Sequence, residues 1–344
     1  MKKSLVERWD EIEALKKTKV KQDNMAVVRS LGQTVMGALL APLARHYSDP
    51  QVVEVRMNGF GQVVVEHRQK GKYQVEDTDL TPRRITAICK ALANTHGLSF
   101  GVDSPKISCT LPGGHRFECA TGPSVQNGVS LAIRCKHPYA PTWAQMGVSE
   151  DIVEYITTKT QEQVNVIVSG GTNTGKTTLL NKLLDLYPED HRVIFVEDTP
   201  ELQNERFWDG SSLLAAREMG TGEGMLGHGQ LYDHLNRITP STIFYGEISK
   251  DNAEPATNVL NSGIKGFMCS IHANSPVEVI KNKFQQLIRQ SSGRTIDGLD
   301  TYLQENIDVI LQLTRSGDGT RSITDIYEPA NNRWILKNSE VQNV

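Results

Sequence analysis

The sequence predicts two domains, a small α+β domain followed by an α/β domain whose parallel sheet carries helices on both faces. Three observations predict this. The chain has 344 residues, more than the roughly 250–300 at which a single core stops growing. The apolar pattern has period two from Val52, then changes to buried strand, Gly-rich turn, helix and strand. Between the two patterns, His137-Pro138-Tyr139-Ala140-Pro141 bars helix and ladder alike, because proline lacks an N–H. The division is a charged leader at 1–24, an α+β domain at 25–137, a linker at 138–148 and the α/β domain at 149–344.

In the first domain, VVEVRM and QVVVEH flank Asn58-Gly59-Phe60-Gly61, and an Asn-Gly turn between β-branched runs is a hairpin signal. Thr81-Pro82 opens a helix with Ile85, Ile88, Cys89 and Leu92 on one face and Gly97 as its stop. Strands follow around Ile107–Leu111, Arg116–Ala120 and Val129–Arg134, separated by Gly113-Gly114 and Asn127-Gly128. In the second domain Ser149 is placed to cap a helix whose first turn carries Glu150 and Asp151, which complement the positive end of the dipole. Then come Val164–Ser169 as strand, Gly170–Gly175 as turn, Lys176–Leu186 as helix and Arg192–Glu197 as strand.

Composition excludes several classes. Hydrophobic residues make up 38% and charged residues 22%, enough apolar material for cores and no bias to disorder. A net charge of −3 from 37 basic and 40 acidic side chains gives no global field for nucleic acid or anionic lipid, so direct nucleic-acid binding is not supported. The uncharged stretch Ser30–Ala44, broken by Gly37 and Pro42, is shorter than the ~20 apolar residues of a spanning helix. Glu7, Asp10, Glu11 and Glu13 stand where a signal peptide has its apolar region, so a cytoplasmic location is expected. Leu5, Trp9 and Ile12 give the leader helical spacing, but its acids leave little basic face for a membrane surface. Cys89, Cys109, Cys119, Cys135 and Cys269 include no CxxC pair and read as reduced core residues.

The strongest chemical signal is Gly170-Gly171-Thr172-Asn173-Thr174-Gly175-Lys176-Thr177, which satisfies G-x-x-x-x-G-K-[ST] between a strand and a helix. Such a loop turns successive amides towards a phosphate at a helix N-terminus. Gly170 through Thr178 are therefore the candidate binding residues for ATP. Lys176 would reach the β- and γ-phosphates, and the Thr177 hydroxyl is placed for Mg2+. Hydrolysis also needs a carboxylate at a neighbouring strand end. VIFVED ends in Glu197 and Asp198, and IFYGE ends in Glu247. A third apolar strand ends in Cys269-Ser270-Ile271-His272. Most lone histidines are structural, but a place beside a phosphate site makes His272 a candidate γ-phosphate sensor or water contact.

The combination of GGTNTGKTTLLN, RVIFVEDTPEL, IFYGE and NSGIKGFMCSIHANSP resembles the secretion traffic ATPases, with their Walker A, acidic, Gly-Glu Walker B and histidine boxes in order. The chain is most similar to the type IV secretion and conjugative-transfer branch. MNGFGQVVVE, LPGGHRFECATGPS and VSLAIR extend the likeness into the first half, over roughly residues 50–330. The resemblance implies a RecA-like P-loop NTPase domain and a smaller N-terminal α+β domain. It implies that Arg116 and Arg134 contact the nucleotide in a cleft between the domains. Glu197 then positions water or metal, Glu247 is the Walker B carboxylate and a metal ligand with Thr177, and His272 is the histidine-box residue.

The implied function is Mg2+-dependent ATP hydrolysis coupled to domain closure in a homohexamer. The ring would power pilus assembly or substrate transfer, peripheral to the inner membrane through channel components. Three alternatives remain: a type II secretion or type IV pilus motor, a nucleotide-dependent binding module with little turnover, and a soluble P-loop kinase. Against the first stands the missing paired CxxC insert, although retraction motors lack it too. The chain departs from the family at Ser249, where an Arg is common, and at Thr239-Pro240-Ser241-Thr242 in place of Arg-Pro-Asp-Arg, with Arg237 nearby. Gly246 replaces the standard Walker B Asp, which makes indirect metal coordination the expectation. The Gly-rich stretch 203–236 reads as a loop at the nucleotide edge or the pore.

Overall fold

Alternating apolar residues from Val52 onward fold as an antiparallel hairpin of β1 (Val52–Met57) and β2 (Gln62–His67), with Met57 opposite Val63. The turn is not the expected tight Asn-Gly type. Its connection spans Asn58–Gly61, the left-handed residue is Gly61 at φ 77°, and the Gln62 amide donates to the Gly59 carbonyl at 3.0 Å. A connection longer than two residues moves the positive φ to its last position. The computed structural model describes residues 35–137, 141–215, 226–260, 262–317 and 319–342. The expected leader at 1–24, the start of the linker at 138–140, part of the Gly-rich stretch at 216–225 and Asn261 lie outside the described residues.

The chain divides into two compact units, residues 1–139 and 140–344. In the first, β3 (Gly71–Glu76), β4 (Lys106–Thr110), β5 (Arg116–Thr121) and β6 (Val129–Arg134) complete an antiparallel sheet ordered β3-β2-β1-β6-β5-β4. Among the described residues, two helices line its core. The expected one is α2 (Pro82–Thr95), where the Thr81 hydroxyl accepts the Arg84 amide at 3.3 Å, a cap worth ~1 kcal/mol. The other, α1 (Val35–Tyr47), has no counterpart in the sequence reading, because Pro42 inside it masks the helical pattern. Leu40, Leu43 and Tyr47 of α1 join Ile85, Ile88, Cys89 and Leu92 of α2 over Val55, Val63, Phe117 and Ile133 of the sheet. Burying one such side chain contributes ~1.5–3 kcal/mol, which explains why apolar packing overrides the proline.

The second unit opens with α3 (Glu150–Gln161) after Ser149, whose side chain makes no capping bond. Its sheet is built from β7 (Val166–Gly170), β8 (Val193–Glu197), β9 (Ser211–Leu214), β10 (Thr242–Ile248), β11 (Phe267–Ile271) and β12 (Val309–Arg315). These run parallel in the order β12-β7-β11-β10-β8-β9. An antiparallel extension of β13 (Arg321–Glu328), β14 (Arg333–Lys337) and β15 (Glu340–Val341) follows on the β12 edge. It was not expected from the sequence.

Period-two alternation sorts the strand residues to two cores. Ile167, Ile194, Val196, Ile243 and Cys269 face α5 (His228–Leu235), α6 (Ala253–Leu260), α7 (Phe284–Ser292) and α8 (Leu299–Asn306). Val166, Val168, Val193, Phe195 and Met268 face α3 and α4 (Lys176–Leu184). A sheet buried on both faces needs such continuous apolar strands. It leaves the carboxyl edge, where the strands open into loops, as the place for chemistry.

Candidate functional site

Strand β7 delivers the Gly-rich loop. Gly175 caps α4 at φ 95° and Asn173 stands at φ 61°, left-handed conformations that cost little for Gly and are tolerated by Asn. A Cβ on Gly170 would lie 2.6 Å from the Leu313 carbonyl oxygen and 2.7 Å from Thr174 Oγ1, so only glycine fits there. Asn173 is held from outside the loop: Arg321 on β13 donates from Nε to its backbone oxygen at 2.9 Å and from Nη2 to Oδ1 at 2.9 Å. Thr174 Oγ1 donates to the Gly171 carbonyl at 3.0 Å.

Lys176 is buried, and its Nζ donates to the carbonyls of Gly170 at 3.2 Å and Gly171 at 3.0 Å. It also meets His272 Nδ1 at 3.0 Å, while His272 Nε2 lies 2.7 Å from Glu247 Oε1. An ammonium can only donate, so Nδ1 is the acceptor and the proton sits on Nε2, which donates to the carboxylate. Three expected residues thus form one chain, Lys176 to His272 to Glu247. Strand order explains it, since β11, which ends just before His272, lies between β7 and β10.

Glu247 owes its direction to an irregularity. Tyr245 pairs with Cys269 and Ile248 with Ile271, so β10 spends one residue more than β11 over this interval. Such bulges re-aim side chains beside active sites. Ser270 Oγ donates to the Gly246 carbonyl at 2.6 Å, and Asn252 donates from Nδ2 to the Glu247 carbonyl at 2.8 Å while its Oδ1 accepts the Ser249 amide at 2.8 Å. The absence of a side chain at Gly246 also has a cause: a Cβ there would lie 3.1 Å from Cγ of Glu197.

Glu197 is buried, and its Oε1 accepts the amides of Glu201 at 2.8 Å and Leu202 at 2.9 Å. That turn brings Glu201 Oε2 to 3.1 Å from the Thr177 hydroxyl, and Asn181 donates to the Glu201 carbonyl at 3.3 Å. Glu201, Arg321, Ser270 and Asn252 had no assigned role in the sequence reading. An acid within the acidic box was a signal for Glu201; Arg321, far along the chain from the loop it holds, had none. Asp198, the other acid of the box, has Oδ1 at 3.2 Å from Nε2 of buried His228. Burial, then Asp198 and Cys269, push the Tyr245 phenol upward, which keeps it neutral.

Arg116 and Arg134 lie in the first unit. They are direct cross-strand partners on β5 and β6, where paired Cβ atoms stand roughly 4.5–5.5 Å apart.

Residues 103–331 match the family model described as Type II/IV secretion system protein. The chain belongs to that family. Type IV secretion system protein VirB11 of Bartonella henselae is 25% identical, the match covering 86% of this chain and 94% of the relative. Conjugal transfer protein TrbB of Rhizobium radiobacter is 27% identical, covering 79% and 82%. The crystal structure of the Legionella pneumophila ATPase DotB has 12% identity and a TM-score of 0.58, covering 83% of this chain and 79% of that one. This likeness is one of fold. The type II/IV secretion family member described here has the mixed α/β architecture of its neighbours, a RecA-like P-loop domain after a smaller N-terminal domain. Among its described residues no helix is long and apolar enough to cross a membrane.

Proposed function

We propose that the protein hydrolyses ATP and couples hydrolysis to closure of its two domains in a homohexameric ring, powering a type IV secretion or conjugative-transfer system. The observation that carries this reading is the Lys176–His272–Glu247 chain, which links the phosphate-binding lysine to the Walker B carboxylate. Lys176 Nζ donates to two carbonyls and to His272. A γ-phosphate would draw that ammonium away, release Nδ1 of His272 and so report phosphate arrival to Glu247. ATP positioned by the loop amides is then attacked by a water held at Glu247 and His272, with ADP as leaving group.

Oxygen donors suit Mg2+, and the Thr177 hydroxyl, Glu201 and Glu247 are the residues here that would hold it, directly or through water. The ion would neutralise charge on the β- and γ-oxygens. Arg116 and Arg134 stand directly opposite one another on neighbouring strands. They are the arginines proposed to reach the phosphates when the domains close, which can be worth ~10³–10⁵ in rate. The domain limits proposed with this reading are 25–137, a linker at 138–148 and 149–344.

The names of the type IV and conjugal relatives, together with coverage of 86% and 79% of this chain, favour the type IV reading over a pilus motor. Location at the inner membrane through channel partners belongs to the same proposal. The test is ATPase activity under Mg2+ for wild type, Lys176→Ala and Glu247→Gln, with solution mass measured with and without an ATP analogue. Wild type faster by roughly 10²-fold or more and a six-subunit mass support the reading. A wild type no faster than either variant, or one that stays monomeric, overturns it.

A further inference from the structure

The first unit carries a second cluster of chemical groups, far along the chain from the P-loop. His115 precedes β5, and Cys135 and His137 follow β6. All three are buried, and one ligand atom from each lies within 4.8 Å of the others. His137 Nε2 lies 2.8 Å from the Tyr47 carbonyl. A carbonyl only accepts, so Nε2 carries the proton and Nδ1 presents a bare lone pair. That Nδ1 is buried with no hydrogen-bond partner, and the buried Tyr47 hydroxyl likewise has none. Orphaned buried polar atoms cost ~1–3 kcal/mol each, so something is expected to satisfy them.

We propose that His115, Cys135 and His137 bind a borderline-soft divalent cation of the zinc class. Two imidazoles and one thiolate match the preference of Zn2+ for nitrogen and sulfur, and they fill three corners of a tetrahedron with water at the fourth. At the usual Zn–N and Zn–S lengths those corners stand roughly 3.5 Å apart, so a small contraction from 4.8 Å completes the site. The His137 arrangement is the one metal-binding histidines use, one nitrogen for the ion and the other donating to a carbonyl.

Uptake breaks the Cys135 S–H bond, sends its proton to solvent and forms the metal–sulfur bond. Both imidazoles remain neutral. The Nδ1 of His115 accepts the Lys136 amide at 3.0 Å, and this ring exchanges that bond for the metal. Because the cluster joins the end of α1, the start of β5 and the end of β6, the ion acts as a clasp that adds to the β5–β6 ladder and to the His137–Tyr47 contact.

The experiment uses the full chain, stripped with chelator and reloaded with Zn2+ or Co2+. Expected are about one ion per chain, a thiolate-to-cobalt charge-transfer band, and a higher unfolding temperature with Zn2+ than after chelation. Cys135→Ser, close to isosteric, abolishes the band, and His137→Ala lowers stoichiometry, with folding checked by circular dichroism. A wild type that shows no charge-transfer band overturns the proposal without reference to any variant. So does a band that survives Cys135→Ser, since the thiolate would then come from Cys89, Cys109, Cys119 or Cys269.

Discussion

Glu247 and His272 stand at the ends of neighbouring parallel strands with Oε1 and Nε2 2.7 Å apart, and the other ring nitrogen of the same imidazole, Nδ1, accepts from Lys176 at 3.0 Å. A single ring therefore bridges the Lys176 ammonium and the Glu247 carboxylate. His272→Ala is expected to retain ATP binding, since the loop amides are untouched, and to lose roughly 10²-fold in kcat. Calorimetric ATP binding beside steady-state hydrolysis checks this; a variant with unaltered kcat refutes the link.

Gly246 occupies the position where a Walker B Asp is common, and the geometry argues against restoring one. A Cβ there meets Glu197 Cγ at 3.1 Å, and any larger side chain must push aside a carboxylate committed to two amides. Gly246→Asp is expected to destabilise the second unit by ~1–3 kcal/mol and to lower hydrolysis rather than raise it. Urea unfolding and ATPase assays read the two effects.

Arg321 grips both backbone and side chain of Asn173, fixing a loop residue in a left-handed conformation. Arg321→Lys keeps the charge and loses the two-pronged geometry. Expected is a several-fold rise in KM for ATP with a smaller change in kcat, because the phosphate cradle loosens while Glu247 and His272 stay in place. Equal effects on both constants would contradict this.

Asp77 anchors α1 to the segment after β3, accepting from Arg45 Nε at 2.9 Å and contacting His46 Nε2 at 2.6 Å. Burial alone would raise its pKa, but the bonds from Arg45, His46 and the Asp79 amide outweigh it and hold the carboxyl below 3.8. A depressed pKa means that the unfolded chain takes up the proton first. The stabilisation is thus complete above the unfolded value and is lost as pH falls through the lower folded one. Asp77→Asn is expected to weaken the first unit near neutrality and to flatten its acid dependence below about pH 4, as thermal unfolding across that range would report.

Much of the fold is legible because its signals are local. The Thr81-Pro82 cap, the apolar strands and the strand–loop–helix around Lys176 each depend on contiguous residues, and each folds close to where its pattern places it. Helix α1 escapes because Pro42 hides a periodicity that only its packing against α2 justifies. The added strands β13 to β15 escape because an antiparallel extension has no signature distinguishing it from any other hairpin.

Local pattern alone was enough to place the Gly-rich loop, the acids and histidine at the strand ends, and the two strands that carry Arg116 and Arg134, whose register against each other appears only in the folded sheet. Tertiary structure alone decided the rest. Chain order brings β7, β8, β10 and β11 in succession, yet the sheet inserts β11 between β7 and β10, and that insertion lets His272 touch both Lys176 and Glu247. The bulge that aims Glu247, the space Gly246 leaves for Glu197, and the hold of Arg321 on Asn173 arise likewise between segments distant in the chain. Propensity and periodicity act over a few residues, whereas these contacts exist only after burial of the whole sheet has chosen its neighbours.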